Sequence, residues 1–330
     1  MTGSQREPIG VSSRAREQAP VVAVVGPTAT GKSDLGVALA LAVGGEVVNA
    51  DASQFYRGMN VGTAKLPLAA RQGIPHHQLD VLDVTQEASV ATYQLDARAD
   101  LDAIRAHAMV PVVVGGSGLY VRALLDRLEI PPTDPDVRAR WEEELGRVGA
   151  QQLHARLADA DPVAAASIEP RNGRRVVRAL EVIELTGRPF SATMPTREFV
   201  VPTVMIGLRS PREVLDERIA TRAVRMWREG LIEEVRGLLE MGLREGRTSS
   251  RAVGYAQARR QLDGELTQEE AILDTVVATR RLARRQERWF GPDPRITWLE
   301  HDAPDLLEQA LAVWAGADGL AMDRWRSRAR

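Results

Sequence analysis

The chain has 330 residues, enough for one large or two ordinary domains. It contains no cysteine, which excludes disulfides, thiolate metal sites and a cysteine nucleophile. Its net charge of −2 argues against a surface coated uniformly for nucleic acid. The 43 basic residues include only two lysines, Lys32 and Lys65; all the others are arginine. Residues 1–19 are polar, without the apolar region of a secretory signal, and are expected to form a disordered tail. No apolar run approaches membrane-span length, so the sequence reads as a cytoplasmic protein without a membrane partner.

Val21–Val25 is a short apolar run with the character of a buried parallel strand. It leads into Gly26-Pro27-Thr28-Ala29-Thr30-Gly31-Lys32-Ser33, which satisfies the phosphate-binding P-loop pattern. Residues 32–43 then read as a helix rich in Ala and Leu. Strand, glycine loop and helix is the order this chemistry needs, because the helix N-terminus faces the anion. Backbone N–H groups line one concavity, Lys32 supplies a compact point charge, and the Ser33 hydroxyl is placed to hold Mg²⁺. Taken alone, the loop suggests a nucleotide such as ATP.

A second strand is expected at 46–50, followed by Asp51 at its carboxyl end, one strand away from the P-loop. Ligands of open parallel sheets bind at this rim. A carboxylate there can hold Mg²⁺ through water, act as a general base, or simply cap a turn. A short strand is expected near 77–82, a helix over 90–108 and a strand over 110–114. The latter ends in Gly115-Gly116-Ser117-Gly118 where a P-loop enzyme would normally carry an aspartate. The glycines allow either close approach to a ligand or a tight turn. His76 and His77 are adjacent, point apart and lack further ligands, so they read as loop residues and not as a metal site.

From Pro131 the texture becomes purely helical. Asp134-Pro135 and Asp161-Pro162 each look like an N-cap followed by proline at the first helical position. The segment 131–196 is therefore expected to be a helical insertion between 20–130 and 197–316. A strand follows over 199–208. Ser210-Pro211-Arg212-Glu213 reads as a capping box opening a helix to about Trp227, with the next helix at 231–241. Thr267 and Glu270 form a second box before a long helix to about Trp289. A last strand near 296–299, a helix over 302–315 and a frayed tail over 317–330 complete the chain. The fold class is thus α/β, a parallel sheet like that of P-loop NTPases interrupted by an all-helical domain. Two arginine clusters, 171–188 and 280–288, each hold five arginines and are compatible with a nucleic-acid footprint or with solvated helix faces. The six tryptophans are read as core.

Beyond the P-loop, three further stretches carry a resemblance. They are Asp51 to Lys65 (DASQFYRGMNVGTAK), Gly115 to Tyr120 (GGSGLY), and Thr279 to Gln286 (TRRLARRQ) together with Val253-Gly254-Tyr255. With the P-loop, and with Gly73 to His77 and Ala179 to Val182, they make the chain closely similar to the tRNA dimethylallyltransferases over about residues 20–300. The resemblance implies transfer of a dimethylallyl group from dimethylallyl diphosphate to N6 of adenosine 37, beside the tRNA anticodon, in a monomeric Mg²⁺-dependent enzyme.

It also implies roles for individual residues. Gly26, Pro27, Thr28, Ala29, Thr30, Gly31, Lys32 and Ser33 would hold the donor diphosphate, with Ser33 at the metal. Asp51 would be the general base, with Lys32 and Ser117 also catalytic. Asp51, Ala52, Ser53 and Gln54 would contact tRNA, and Ser117 the target nucleotide. Ala52 stands where the family usually has serine, and Ser117 where it has threonine. Arg138, the cluster Arg174, Arg175 and Arg178, and Arg251, Gly254 and Tyr255 would contact tRNA. Arg218, Arg222 and Arg225 share one helix face, and Arg222 is the candidate for a diphosphate contact. A P-loop kinase of a nucleotide or small molecule is the rival enzyme, and an RNA-binding or nucleotide-switch protein the rival without catalysis.

Overall fold

The computed structural model describes residues 19–193 and 196–316. The expected tails, apart from Ala19, lie outside these residues. Six strands form one sheet: β1 (Val21–Val25), β2 (Gly45–Asn49), β3 (His76–His77), β4 (Val110–Val114), β5 (Thr203–Arg209) and β6 (Ile296–Glu300). All neighbours pair in parallel, in the order β3-β2-β4-β1-β5-β6. β1 and β4 are buried along their whole length, which explains why they read as unbroken apolar runs without alternation.

β4 lies between β1 and β2, so Asp51 is two strands from the P-loop and not one. The register nevertheless brings their rims level. Val114 pairs with Val24 on one side and with Asn49 on the other. The chain therefore leaves β1 at Gly26, β2 at Ala50 and β4 at Gly115 along one edge. The long separation of these residues in sequence is erased by the crossover topology.

The helices that matter to this edge are α1 (Lys32–Val43), α2 (Val90–Ala106) and α3 (Gly118–Leu125). α1 packs its Leu35, Leu39, Ala40 and Val43 into the sheet core with Val22, Val112 and Ile206. Later come α8 (Arg212–Arg228), α9 (Leu231–Glu240), α10 (Tyr255–Leu262) and α11 (Gln268–Phe290). α11 starts with the expected capping box, Thr267 accepting from Glu270 N and Glu270 from Thr267 N. α8 does not. Its N-cap is Pro211, without a side-chain cap, and the Ser210 hydroxyl turns to the Pro211 carbonyl instead. Residues 306–316 are helical and bury Ala310 and Trp314 against the sheet.

Asp126–Val200 is a separate compact unit. Its helices are α4 (Pro135–Val148), α5 (Ala150–Ala160), α6 (Pro162–Ser167) and α7 (Gly173–Thr186). Asp134 caps α4 and Asp161 caps α6, each with proline in the first turn. Leu153, Leu157, Ile168, Val176 and Leu180 form the unit's own core. An isolated antiparallel bridge pairs Asp126 with Phe199 at its two ends. Phe199 thus closes the helical unit and does not open a strand, so β5 begins only at Thr203.

Candidate active site

The P-loop begins where β1 can no longer tolerate a side chain. Gly26 has φ +130°, and a Cβ there would lie 2.6 Å from the Leu208 carbonyl oxygen on β5. Gly31, at φ +85°, turns the chain into α1. Between them the loop folds around one acceptor, the Pro27 carbonyl, which receives Thr30 Oγ1 at 2.9 Å and Lys32 Nζ at 2.6 Å. Burial pushes the Lys32 ammonium down to about 8; Asp51 opposes this and Arg222 adds to it. Burial likewise lowers Arg222, again opposed by Asp51, with Arg225 adding like charge. Two cations and one carboxylate therefore share a poorly hydrated space. Arg218 ties α8 to the loop by donating Nε to the Ala29 carbonyl at 2.8 Å.

Asp51 performs two tasks at once. It caps the short 3₁₀ turn Ala52–Phe55, with Oδ1 accepting from Ser53 N at 3.1 Å and from Ser53 Oγ at 2.7 Å. Its other carboxylate oxygen makes no hydrogen bond among the described residues, and Asp51 lines the pocket. Asn49, at the end of β2, holds the aspartate from behind: Oδ1 accepts from Asp51 N, and Nδ2 donates to the Asp51 and Gln78 carbonyls. Gln54 Nε2 donates to the Thr63 carbonyl at 3.1 Å. The loop closes on Lys65, whose Nζ donates to the Tyr56 carbonyl at 2.9 Å and to Asp80 Oδ1 at 2.5 Å. That ammonium is 2% exposed, which accounts for the second retained lysine. A compact cation there reaches two acceptors at once.

After β4, Gly115 and Gly116 serve the protein's own packing. A Cβ on Gly115 would lie 2.3 Å from the Ala50 carbonyl oxygen, and one on Gly116 would lie 2.3 Å from Gln286 Nε2. Ser117 does not line the pocket. Its Oγ accepts from Ala52 N at 3.1 Å, joining the turn after β4 to the Asp51 loop.

These parts surround a pocket of about 630 Å³. Thr28, Ala29, Gly31, Lys32 and Ser33 line one part, with Arg218, Thr221, Arg222 and Arg225 from α8. Asp51, Gln54 and Asn49 line another, and Val47, Ala64, Leu66 and Leu79 supply apolar wall. The Ser33 hydroxyl makes no hydrogen bond among the described residues, and Asp51 and Asp34 share the cavity with it. This oxygen set suits Mg²⁺ held jointly with substrate phosphates and water. Among the described residues no group of three His, Asp or Glu could cage a metal by itself. His76 borders the pocket. His77 bonds Glu46 Oε2 at 2.6 Å and is raised to about 9, chiefly by its hydrogen bond to Asp100. The pair anchors the edge strand.

The structure sorts the expected RNA contacts by availability. Arg174 and Arg175 are exposed on the first turn of α7, and Arg251 is exposed. Arg138 and Arg178 instead converge on the fully buried Glu181, at 2.8 and 2.9 Å. Glu181 also accepts from Thr133 Oγ1 and Asp134 N, so it fastens the start of α4 to α7. Gly254 and Tyr255 differ from these arginines. Both are buried, and the Tyr255 hydroxyl donates to Glu234 Oε1 at 2.5 Å inside an apolar cluster with Tyr56, Met59 and Trp227. The side chain of Tyr255 is fully buried. On α11, Arg281, Arg284, Arg285 and Arg288 are exposed and make no ion pair among the described residues. Trp289 beside them is 44% exposed, unlike the buried Trp227 and Trp314.

Three polar residues were not marked by the sequence as parts of the site. Asn49 positions Asp51, as above. Glu234 accepts from the Asn60 and Val61 backbone N–H groups and from Tyr255, pinning the far end of the Asp51 loop. Gln286 accepts from Thr28 N at 2.8 Å and donates to the Gly116 carbonyl at 2.9 Å. A signal for Gln286 existed: it falls in register with Thr279, Ala283 and Phe290 on the buried face of α11. A glutamine on such a face needs partners.

A family model described as IPP transferase matches residues 54–293, and one described as isopentenyl transferase matches residues 19–77. A curated tRNA dimethylallyltransferase from Thermobifida fusca is 60% identical over 298 residues, covering 89% of this chain and 93% of its own. One from Kineococcus radiotolerans is 60% identical over 301 residues, covering 89% and 95%. Among solved structures, a tRNA isopentenylpyrophosphate transferase from Bacillus halodurans aligns at TM-score 0.69 and 38% identity, over 94% of this chain and 99% of its own. A eukaryotic dimethylallyltransferase, described as acting on tRNA, aligns at TM-score 0.76 and 26% identity, over 89% and 78%.

Proposed function

Since the chain belongs to the tRNA dimethylallyltransferase family, we propose that its pocket carries out that family's transfer with the residues just described. The enzyme moves a dimethylallyl group from dimethylallyl diphosphate to N6 of adenosine 37 of tRNA and releases diphosphate. The P-loop grips a leaving group here, not a nucleotide.

The observation that carries this reading is one cavity with a phosphate loop on one side and a carboxylate on the other. Lys32, Arg222 and the loop N–H groups bind the diphosphate and stabilise the charge that grows on it as the C1–O bond breaks. The N6 amine is a weak nucleophile, because its lone pair is delocalised into the purine. As it bonds to C1, its proton passes to the unbonded oxygen of Asp51, while Oδ1 stays fixed by Ser53. The Ser33 hydroxyl and the diphosphate would hold Mg²⁺, which offsets negative charge on the leaving group. Val47, Leu66 and Leu79 give the prenyl tail apolar contact.

The target base must leave the anticodon-loop stack to reach Asp51. Arg174 and Arg175 on the helical unit, and separately Arg251 and the arginines of α11, supply phosphate contacts. The protein acts as a monomer. Among the described residues no helix is long and apolar enough to cross a membrane.

The test supplies Mg²⁺, radiolabelled dimethylallyl diphosphate and an anticodon stem-loop with adenosines at 36–38. Labelled RNA is the expected result. ATP turnover without RNA labelling would overturn the reading in favour of a kinase.

A further inference from the structure

Gln286 sits on the buried face of α11, 6% exposed, with both halves of its amide committed. Oε1 accepts the Thr28 N–H of the P-loop at 2.8 Å. Nε2 donates to the Gly116 carbonyl, just after β4, at 2.9 Å. One partner is a donor and the other an acceptor, so the amide has a single orientation. The next residue, Ser117, accepts from Ala52 N beside Asp51. A hydrogen-bonded path therefore runs from Thr28 through Gln286, Gly116, Ser117 and Ala52 to the base.

The fit on the Gly116 side is close. A Cβ at Gly116 would lie 2.3 Å from Gln286 Nε2 and 3.4 Å from the Gly26 carbonyl. A side chain at position 116 would thus displace the Gln286 amide from its bond to the Gly116 carbonyl. Adjacent strands set the rough spacing of the two loops. Nothing else among the described side chains bonds to both of them.

We propose that Gln286 is a positioning residue that fixes the diphosphate-binding loop relative to the turn supporting Asp51. Through this tie the separation of the donor carbon from the acceptor nitrogen is set before either substrate arrives. Transfer is sensitive to such placement, since a misalignment of about 1 Å costs on the order of 100-fold in rate. The proposal rests on the transferase reading for its effect on turnover. Its effect on the P-loop does not, because diphosphate binding needs no RNA.

The experiment compares Gln286→Met, which keeps the side-chain volume but makes neither bond, with the wild type. Calorimetry with inorganic diphosphate and Mg²⁺ reads the P-loop, and steady-state transfer to the stem-loop reads kcat and the KM for RNA. Diphosphate Kd is expected to rise about tenfold, the scale of one buried hydrogen bond. The kcat is expected to fall by roughly 30- to 100-fold, with the KM for RNA changed by less than about threefold. An unchanged kcat and diphosphate Kd in the folded variant would overturn the proposal. A rise confined to the KM for RNA would also overturn it, and would make Gln286 an RNA contact.

Gly116→Ala attacks the same tie from its other end. It should reproduce the Gln286→Met phenotype, and the double variant should be no worse than either single change. Additive losses would mean that the two residues act separately. Gln286→Glu retains an acceptor for Thr28 but sets a carboxylate against the Gly116 carbonyl. It carries the same readouts should Gln286→Met fail to fold, with the same expected losses and the same overturning results.

Discussion

The P-loop and the Asp51–Lys65 loop leave the same edge of one sheet, yet they are built on opposite plans. The P-loop is mostly backbone. Its glycines are forced by φ and by Leu208, and its lysine rests on a carbonyl of its own loop until an anion draws it away. The Asp51 loop is laced by side chains: Asn49, Ser53, Gln54, Lys65 and Glu234 each bond to it, and Ser117 reaches it from the neighbouring turn. Under the proposed transfer, the difference follows from the ligands. A diphosphate is a compact anion that N–H groups can surround wherever it settles. A carboxylate that must meet one amine in one direction has to be held from several sides.

Asp51→Asn sharpens the contrast most. It keeps the shape of the side chain and removes the proton acceptor. Transfer should fall by about 10²- to 10⁴-fold in a single-turnover assay, while diphosphate affinity stays near that of the wild type. Equal loss of both would merge the two loops into one functional unit. Lys32→Ala is the mirror experiment. Transfer should drop roughly 10²- to 10³-fold together with diphosphate affinity, and RNA affinity in a filter-binding assay should be unaffected.

The plans also differ in their response to pH. Burial holds the free Lys32 at about 8, whereas a bound diphosphate favours its charged form. Raising the pH through 8 therefore neutralises the free lysine, and affinity for dimethylallyl diphosphate should weaken by about tenfold per unit above that value. Calorimetry in the absence of RNA checks the sign: affinity that stays flat to pH 9.5 would mean that Lys32 does not titrate there. Lys65→Met tests the laced loop. It leaves the Tyr56 carbonyl without its ammonium partner, and chemical denaturation should show a loss of about 1–3 kcal/mol. Ser117→Ala should have the smallest effect. It removes one bond to Ala52, so transfer should fall no more than about tenfold and diphosphate binding should be unchanged.

Much of this architecture is written locally. Val21–Val25 and Val110–Val114 are legible as buried strands because short, valine-rich apolar runs without alternation suit a strand covered on both faces. The P-loop is legible because phosphate binding needs glycines and lysine at fixed spacing. Asp134-Pro135, Asp161-Pro162 and Thr267…Glu270 mark helix starts because caps act over three residues. Ser210 misleads because a cap pattern does not guarantee the cap: here the hydroxyl bonds the Pro211 carbonyl, and the helix starts without a side-chain cap.

The sequence by itself thus determined the phosphate loop, the carboxylate at the rim, the helical block from Pro131 onward and, through its motifs, the family. Only the tertiary structure decided what those motifs do for one another. It put β4 between β1 and β2, and it set Gly115 against Ala50 and Gly116 against Gln286, where the sequence had left ligand approach and a tight turn both open. It buried Tyr255 and set Lys65 on Tyr56 and Asp80. The physical reason is range. Propensity, capping and loop chemistry act between residues a few positions apart, whereas Thr28 and Gln286 are 258 positions apart and meet only because sheet order and helix packing bring them together.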